Sequence, residues 1–128
     1  MKKTVLIALL ALLVLVPFAL SACSSASGPE LTVRAYLEAV NAGDKDKFVS
    51  LWLPDNQASA PTKFDYYTLF KIKYTKIKKI VSQDFQGNPD LQAATADVVE
   101  ESSLGTHDKT LKFGLSRQNG HWYIFSPP

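Results

Sequence analysis

Two histidines, His107 and His121, and twelve acids are the groups from which this 128-residue chain would build an acid–base or metal site. Their spacing argues against both. Neither histidine has a ligand-type residue four positions away, and the one cysteine lies far from them in sequence, so the set a zinc ion needs is missing. His107 stands in a Gly-Thr-His-Asp stretch that reads as a solvated loop, and His121 directly follows Asn119-Gly120 and should face away from the interior. Asp44 sits at a helix start, where capping explains it. Asp55 and Asp65 fall in loop or boundary positions, where turn chemistry does. No serine occupies a G-x-S-x-G elbow. No metal and no cofactor is expected, and absence of catalysis is the favoured reading.

The residue whose context does specify chemistry is Cys23. Lys2 and Lys3 follow the initiator methionine, and Val5 to Leu20 then runs without a charge. As a helix this run measures about 24 Å at ~1.5 Å per residue, short of the roughly 30 Å hydrocarbon core. Pro17 interrupts it near its end. A positive start, a short apolar middle and small residues before a break describe a cleaved export signal. The end, Leu20-Ser21-Ala22-Cys23, resembles the lipobox of bacterial lipoproteins. That resemblance implies cleavage before Cys23, a thioether-linked diacylglyceryl group on its sulfur and often an acylated new amino terminus. Two acyl chains suffice for stable anchoring where one does not. Residues 1–22 are thus expected to be a signal peptide, residues 23–28 a lipidated tether, with Ser24 to Gly28 small and polar, and residues 29–128 a single domain. The expected location is the extracytoplasmic face of a cell membrane, and Ser24, rather than Asp, after the cysteine permits an outer membrane.

Loss of residues 1–22 removes Lys2 and Lys3 and no acid, which leaves the mature chain with equal numbers of acidic and basic residues. Nucleic-acid binding therefore lacks its main electrostatic support. With its only thiol lipidated, the domain must fold on its apolar core alone.

The elements that would position any site follow from periodicity. Pro29 and Glu30 suit a helix start, with Ser27 placed for a capping box. Val33, Tyr36, Leu37 and Val40 form one apolar stripe that ends at Gly43. Asp44 opens a second helix carrying Phe48, Leu51 and Trp52 on one face until Pro54. Asp55 to Thr62 reads as loop, and Lys63 to Phe70, where Phe64, Tyr67 and Leu69 fit neither period cleanly, is open between strand and a third short helix, the helix being preferred. From Ile72 to Val81 the β-branched content predicts a strand whose alternation slips between Tyr74 and Ile77, as a bulge would require. Gly87-Asn88-Pro89-Asp90 reads as a turn. Ala94, Ala96 and Val98 then alternate in a second strand, and Leu111, Phe113 and Leu115 in a third, with Gly105 and His107 in the loop between. Asn119-Gly120 predicts a type I′ hairpin into a fourth strand. Trp122 and Ile124 should continue its inward face, with Trp52 and Trp122 both largely buried.

Helices first and antiparallel strands after predict an α+β fold, with N-terminal helices packed on a strongly curved sheet of about four strands. "PELTVRAYLEAVNAGDKDKFVSLW" with the terminal "LSRQNGHWYIF" resembles the nuclear-transport-factor-2-like superfamily, a cone-shaped fold shared with SnoaL-like cyclases and ketosteroid isomerase. Small bacterial lipoproteins without an assigned function are its nearest likeness. The resemblance implies a pocket between helices and sheet, in which enzymatic members hold an acid or histidine beside a tyrosine or second acid; Tyr36 matches the helix-one tyrosine. On this likeness Tyr36, Leu37, Val40, Phe48, Trp52, Phe113 and Trp122 are the candidate lining, and packing explains each of them as well.

Two functional readings stand. The first is a tethered module that binds a small ligand or an envelope protein without catalysis. The second is a small-molecule isomerase or hydrolase-like enzyme using the cone. For the first, the candidate partner face is Lys71, Lys73, Lys76 and Lys78 with Tyr123 and Phe125. The lysines would meet anionic headgroups near the anchor, or else only guard an exposed strand against pairing. An inward-pointing carboxylate or histidine would separate the two readings.

Overall fold

The computed structural model describes residues 28–128, so Leu20, Ser21, Ala22, Cys23 and the capping serine Ser27 lie outside the described residues. Helix α1 spans Pro29–Ala42, α2 spans Lys45–Ser50, a 3₁₀ turn spans Pro54–Asn56 and α3 spans Ala60–Leu69. Four strands follow: β1 Lys73–Phe85, β2 Asn88–Ser102, β3 Gly105–Gln118 and β4 His121–Ser126. They form one antiparallel sheet in the order β1-β2-β3-β4. The helices pack on one face, as expected.

Helix α1 carries Pro29 in its first turn behind Gly28, whose lack of a side chain leaves the helix without a side-chain cap. Glu30 accepts a hydrogen bond from Ser82 Oγ at 3.2 Å. Gly43 (φ 68°) ends the helix in the left-handed conformation while the Asp44 N–H donates to Ala39 O, a closure that satisfies two terminal carbonyls. One residue later Asp44 accepts from Lys47 N at 3.0 Å and starts α2.

The third helix begins at Ala60, inside the segment read as loop, because Pro61 is tolerated in a first helical turn. The β1–β2 turn also differs from expectation. It falls on Gln86-Gly87, both at positive φ (52° and 72°), and Asn88 and Pro89 already belong to β2. Likewise β2 and β3 run as long arms to Ser102 and Gly105, so His107 lies in a strand rather than a loop. Slippage in β1 occurs where alternation broke, with register shifts at Tyr74/Lys76 and Ile77/Lys79. Such bulges bend a strand and turn its lysines outward. Asn119 and Gly120 (φ 52° and 77°) form the I′ hairpin.

The sheet's β4 edge is not open. Leu53 N donates to Ile124 O and Ile124 N to Leu51 O, both at 2.8 Å, so the segment after α2 lies beside β4 like a short fifth strand. The core lies between helices and sheet and includes Val33, Tyr36, Leu37, Phe48, Phe64, Val98, Leu115 and Ile124. No helix of the described residues is long and apolar enough to cross a membrane.

Candidate functional site

Most of the residues expected to line a cavity pack against one another instead, although Val40 also borders a groove of about 340 Å³ with Phe64, Tyr67 and Ile72. Tyr36, Leu37, Val40, Phe48, Trp52 and Phe113 are all buried. The Tyr36 ring centroid lies 4.7 Å from that of Phe48 and 5.2 Å from that of Phe113, and Phe48 lies 5.2 Å from Phe64. Rings in edge and tilted contact at these distances leave no room for a ligand among them. Trp122 departs from expectation. It shares the inward face with Ile124 but sits one step from the hairpin tip, beside an open groove between β4 and the helices α1 and α2, and is only half-buried. Its ring carries the Arg117 guanidinium at 5.5 Å, and Arg117 in turn donates to Asp90.

The polar cluster worth most attention lies elsewhere on the inner face. Gln92, Ala94, Ala96, Val98 and Glu100 alternate inward along β2, and Glu100 is 6% exposed. Its Oε1 accepts from Lys109 Nζ at 2.7 Å. Beside it the hydroxyls of Tyr36 and Tyr67 share a hydrogen bond of 2.6 Å, and the Tyr74 ring centroid lies 6.4 Å from that of Tyr67. Burial pushes all three phenols well above their ordinary pKa of 10, and the Glu100 charge adds to the rise at Tyr67 and Tyr74. They are neutral hydroxyls throughout the physiological range. Lys63 completes the group, with its ammonium 5.5 Å from the Tyr67 ring centroid and burial lowering its pKa. A groove of about 150 Å³ opens here, between Lys63, Tyr66, Tyr67, Tyr74, Glu100 and Lys109.

Chemically, this is a set of fixed donors around a carboxylate that already has its counter-ion. Such a set can orient a small polar group. Removing a proton from carbon would require a free carboxylate, and Lys109 occupies this one. None of Glu100, Lys109, Lys63, Tyr67 and Tyr74 was singled out from the sequence. For Glu100 a signal existed, because the alternation of Ala94, Ala96 and Val98 carried one step further reaches it.

The other candidate residues are scattered. Lys71 and Lys73 sit by the C-terminal end of α1, where Lys73 Nζ donates to Asn41 O at 2.6 Å. Since α1 is 14 residues long, about 21 Å as a helix, they lie far from the tether end at Gly28. Lys78 pairs with Asp108 at 2.6 Å and holds that carboxyl below its ordinary pKa, with Lys76 adding to the effect. Tyr123 and Phe125 lie on β4 at the opposite edge of the sheet from β1, so these six residues do not form one continuous patch. Asp44 is a cap, Asp65 pairs with Lys45 on the surface, and His107 and His121 are exposed. Among the described residues no three His, Cys, Asp or Glu side chains are grouped to hold a metal ion.

The chain matches no family model, and no curated protein matches it. Its fold does match solved structures. An uncharacterised Caulobacter vibrioides protein with a cystatin-like fold superposes with a TM-score of 0.61 at 14% identity, over 73% of this chain and 80% of that one. A protein of unknown function with a cystatin-like fold from Nostoc punctiforme gives 0.57 at 12% identity, over 73% and 80%. A Streptomyces avermitilis protein of the nuclear-transport-factor-2-like family, provisionally described as a dehydratase, gives 0.50 at 16% identity, over 75% and 87%. At these identities the likeness defines the fold alone: the α+β fold of cystatin-like and nuclear-transport-factor-2-like proteins.

Proposed function

We propose that this protein is a membrane-anchored lipoprotein whose extracytoplasmic domain binds a ligand or envelope partner and does not catalyse a reaction. The observation that carries the binding reading is that the space between helices and sheet is packed with the domain's own aromatic rings, while the inward acid Glu100 is bound to Lys109. An enzyme needs groups preorganised around developing charge in a site the substrate can enter. Here the polar groups border a small groove at the far end of α1, flanked by exposed Tyr66. The Leu20-Ser21-Ala22-Cys23 motif behind a short charged and apolar leader supports the anchor.

Two measurements test this. Intact mass of the membrane-extracted protein should show a lipidated Cys23 and no residues 1–22; an unmodified Cys23 or a retained Met1 refutes the anchor. A thermal-shift screen of small polar and amphipathic compounds should give ligands whose effect is lost in Glu100→Gln. Turnover of any such compound, abolished by the same substitution, would make the domain an enzyme of the isomerase or hydrolase type. That second reading is favoured only by the proximity of Glu100 to the tyrosine hydroxyls.

A further inference from the structure

Trp122 is half-buried at a position whose face should have buried it, and its surroundings give the exposed part a use. It lines a groove of about 400 Å³ together with Leu31, Lys47, His121, Tyr123 and Gly28. Gly28 is the residue through which the domain meets its tether. It lies five residue steps from Cys23, at most about 18 Å of extended chain at ~3.3–3.6 Å per residue. A lipid on Cys23 would therefore hold this end of the domain at the bilayer surface.

Resting on the anchored reading above, we propose that this rim, with Leu31 on α1 and Trp122 and Tyr123 on β4, docks into the phospholipid headgroup layer. Leu31 is 40% exposed. Tryptophan and tyrosine place an apolar ring and a polar tip at the depth where acyl chains meet headgroups. Lys47 and His121 are the basic side chains lining the groove, and no carboxylate lines it. One lysine beside two aromatic rings suits the phosphodiester of a headgroup without requiring an anionic lipid. Docking in this pose turns the Glu100 groove, at the opposite end of α1, away from the membrane and toward its ligand. The lysine-rich start of β1 points away from the bilayer as well, which removes the headgroup role its composition suggests.

Mature protein reconstituted in phosphatidylcholine vesicles, with and without acyl-chain bromine near the headgroup, tests the pose by tryptophan fluorescence. Trp52 is 5% exposed and provides the unquenched background. Brominated lipid should quench the Trp122 emission and blue-shift it, Trp122→Phe should abolish the quenching, and Leu31→Lys should weaken it several-fold. Equal emission from both vesicle types, with the protein vesicle-bound, overturns the proposal. So does shielding of Trp122 from iodide by an added envelope extract but not by lipid, which would mark a protein interface. A second sample separates this from the anchor. The chain from Cys23 onward, which keeps the whole core from Val33 to Ile124, is coupled through its thiol to a maleimide phospholipid. Quenching there, with an unmodified Cys23 in the native protein, would sink the anchor and keep the docking surface; no quenching in either sample sinks the docking surface.

Discussion

Glu100 and Lys109 meet diagonally across β2 and β3, carboxylate to ammonium at 2.7 Å, with the Glu100 side chain 7% exposed and that of Lys109 47% exposed. The acid is buried and its partner is the part that reaches water. Removing the partner is therefore the more damaging change. Lys109→Met should cost about 1–3 kcal/mol, since a buried acceptor is left without its donor while residual solvent access limits the loss. Glu100→Gln should cost less. In the double variant the penalty of the first should be partly recovered, and a urea-denaturation cycle measures that coupling. Strict additivity would mean that the pair is not energetically linked.

The three buried phenols make stability depend on alkaline pH. Each is raised above 10 in the folded state, so above that pH the unfolded chain releases protons the folded chain keeps. The sign is fixed. Stability from neutral burial is fully present below pH 10 and is lost as pH rises, by up to about 4 kcal/mol per pH unit if all three stay protonated. Absorbance at 295 nm should show Tyr36, Tyr67 and Tyr74 ionising only with loss of the folded circular-dichroism signal. A reversible phenolate titration of all five tyrosines in the native state would contradict it.

Trp52, read on a helix face, and Trp122, read on a strand face, separate what periodicity can and cannot say. Their periodicity placed both inward, and both do face inward. Burial, however, depends on how closely the layer above packs, and at Trp122 an open groove lies between β4 and the helices α1 and α2. Trp52→Ala should accordingly cost about 3–5 kcal/mol, as core aromatic truncations do. Trp122→Ala should cost only about 1–2, in line with partial burial. Native-state iodide quenching should affect Trp122 and spare Trp52.

The same distinction explains which features were legible from the chain. Caps, hairpin and helix stripes rest on local chemistry: Gly43, Asp44 and Asn119-Gly120 each do what their side chains dictate. The β1–β2 turn was misplaced because Asn88-Pro89 looks like a turn from composition, while Gln86-Gly87 wins by adopting positive φ at two successive residues. The Glu100 cluster was missed because its members come from α1, α3, β1, β2 and β3, and only long-range pairing brings them together. Whether the interior is open or filled is likewise a matter of ring volumes meeting across layers, which no period in the sequence encodes.

On the outer face of the sheet, Gly114 is the position where a side chain cannot fit. A Cβ built there would fall 2.7 Å from Phe125 Cζ and 3.0 Å from Ser126 Cβ, closer than carbon atoms pack. The register shifts between Gly114 and Leu115, so Phe125 lies across the glycine rather than beside a partner. Its half-buried state is thus a product of the missing side chain, and Phe125 is part of the sheet's own packing before it is available to any partner. Gly114→Ala should displace the ring and cost about 1–3 kcal/mol, the range for overpacking. If the clash is the cause, Phe125→Ala in the same chain should relieve most of that cost, even though it removes apolar contact of its own. Chemical denaturation of the two single variants and the double variant decides the matter. A Gly114→Ala chain as stable as the parent, with an unchanged Phe125 environment by NMR, would show that the edge accommodates the added methyl group, and the clash would not account for the glycine.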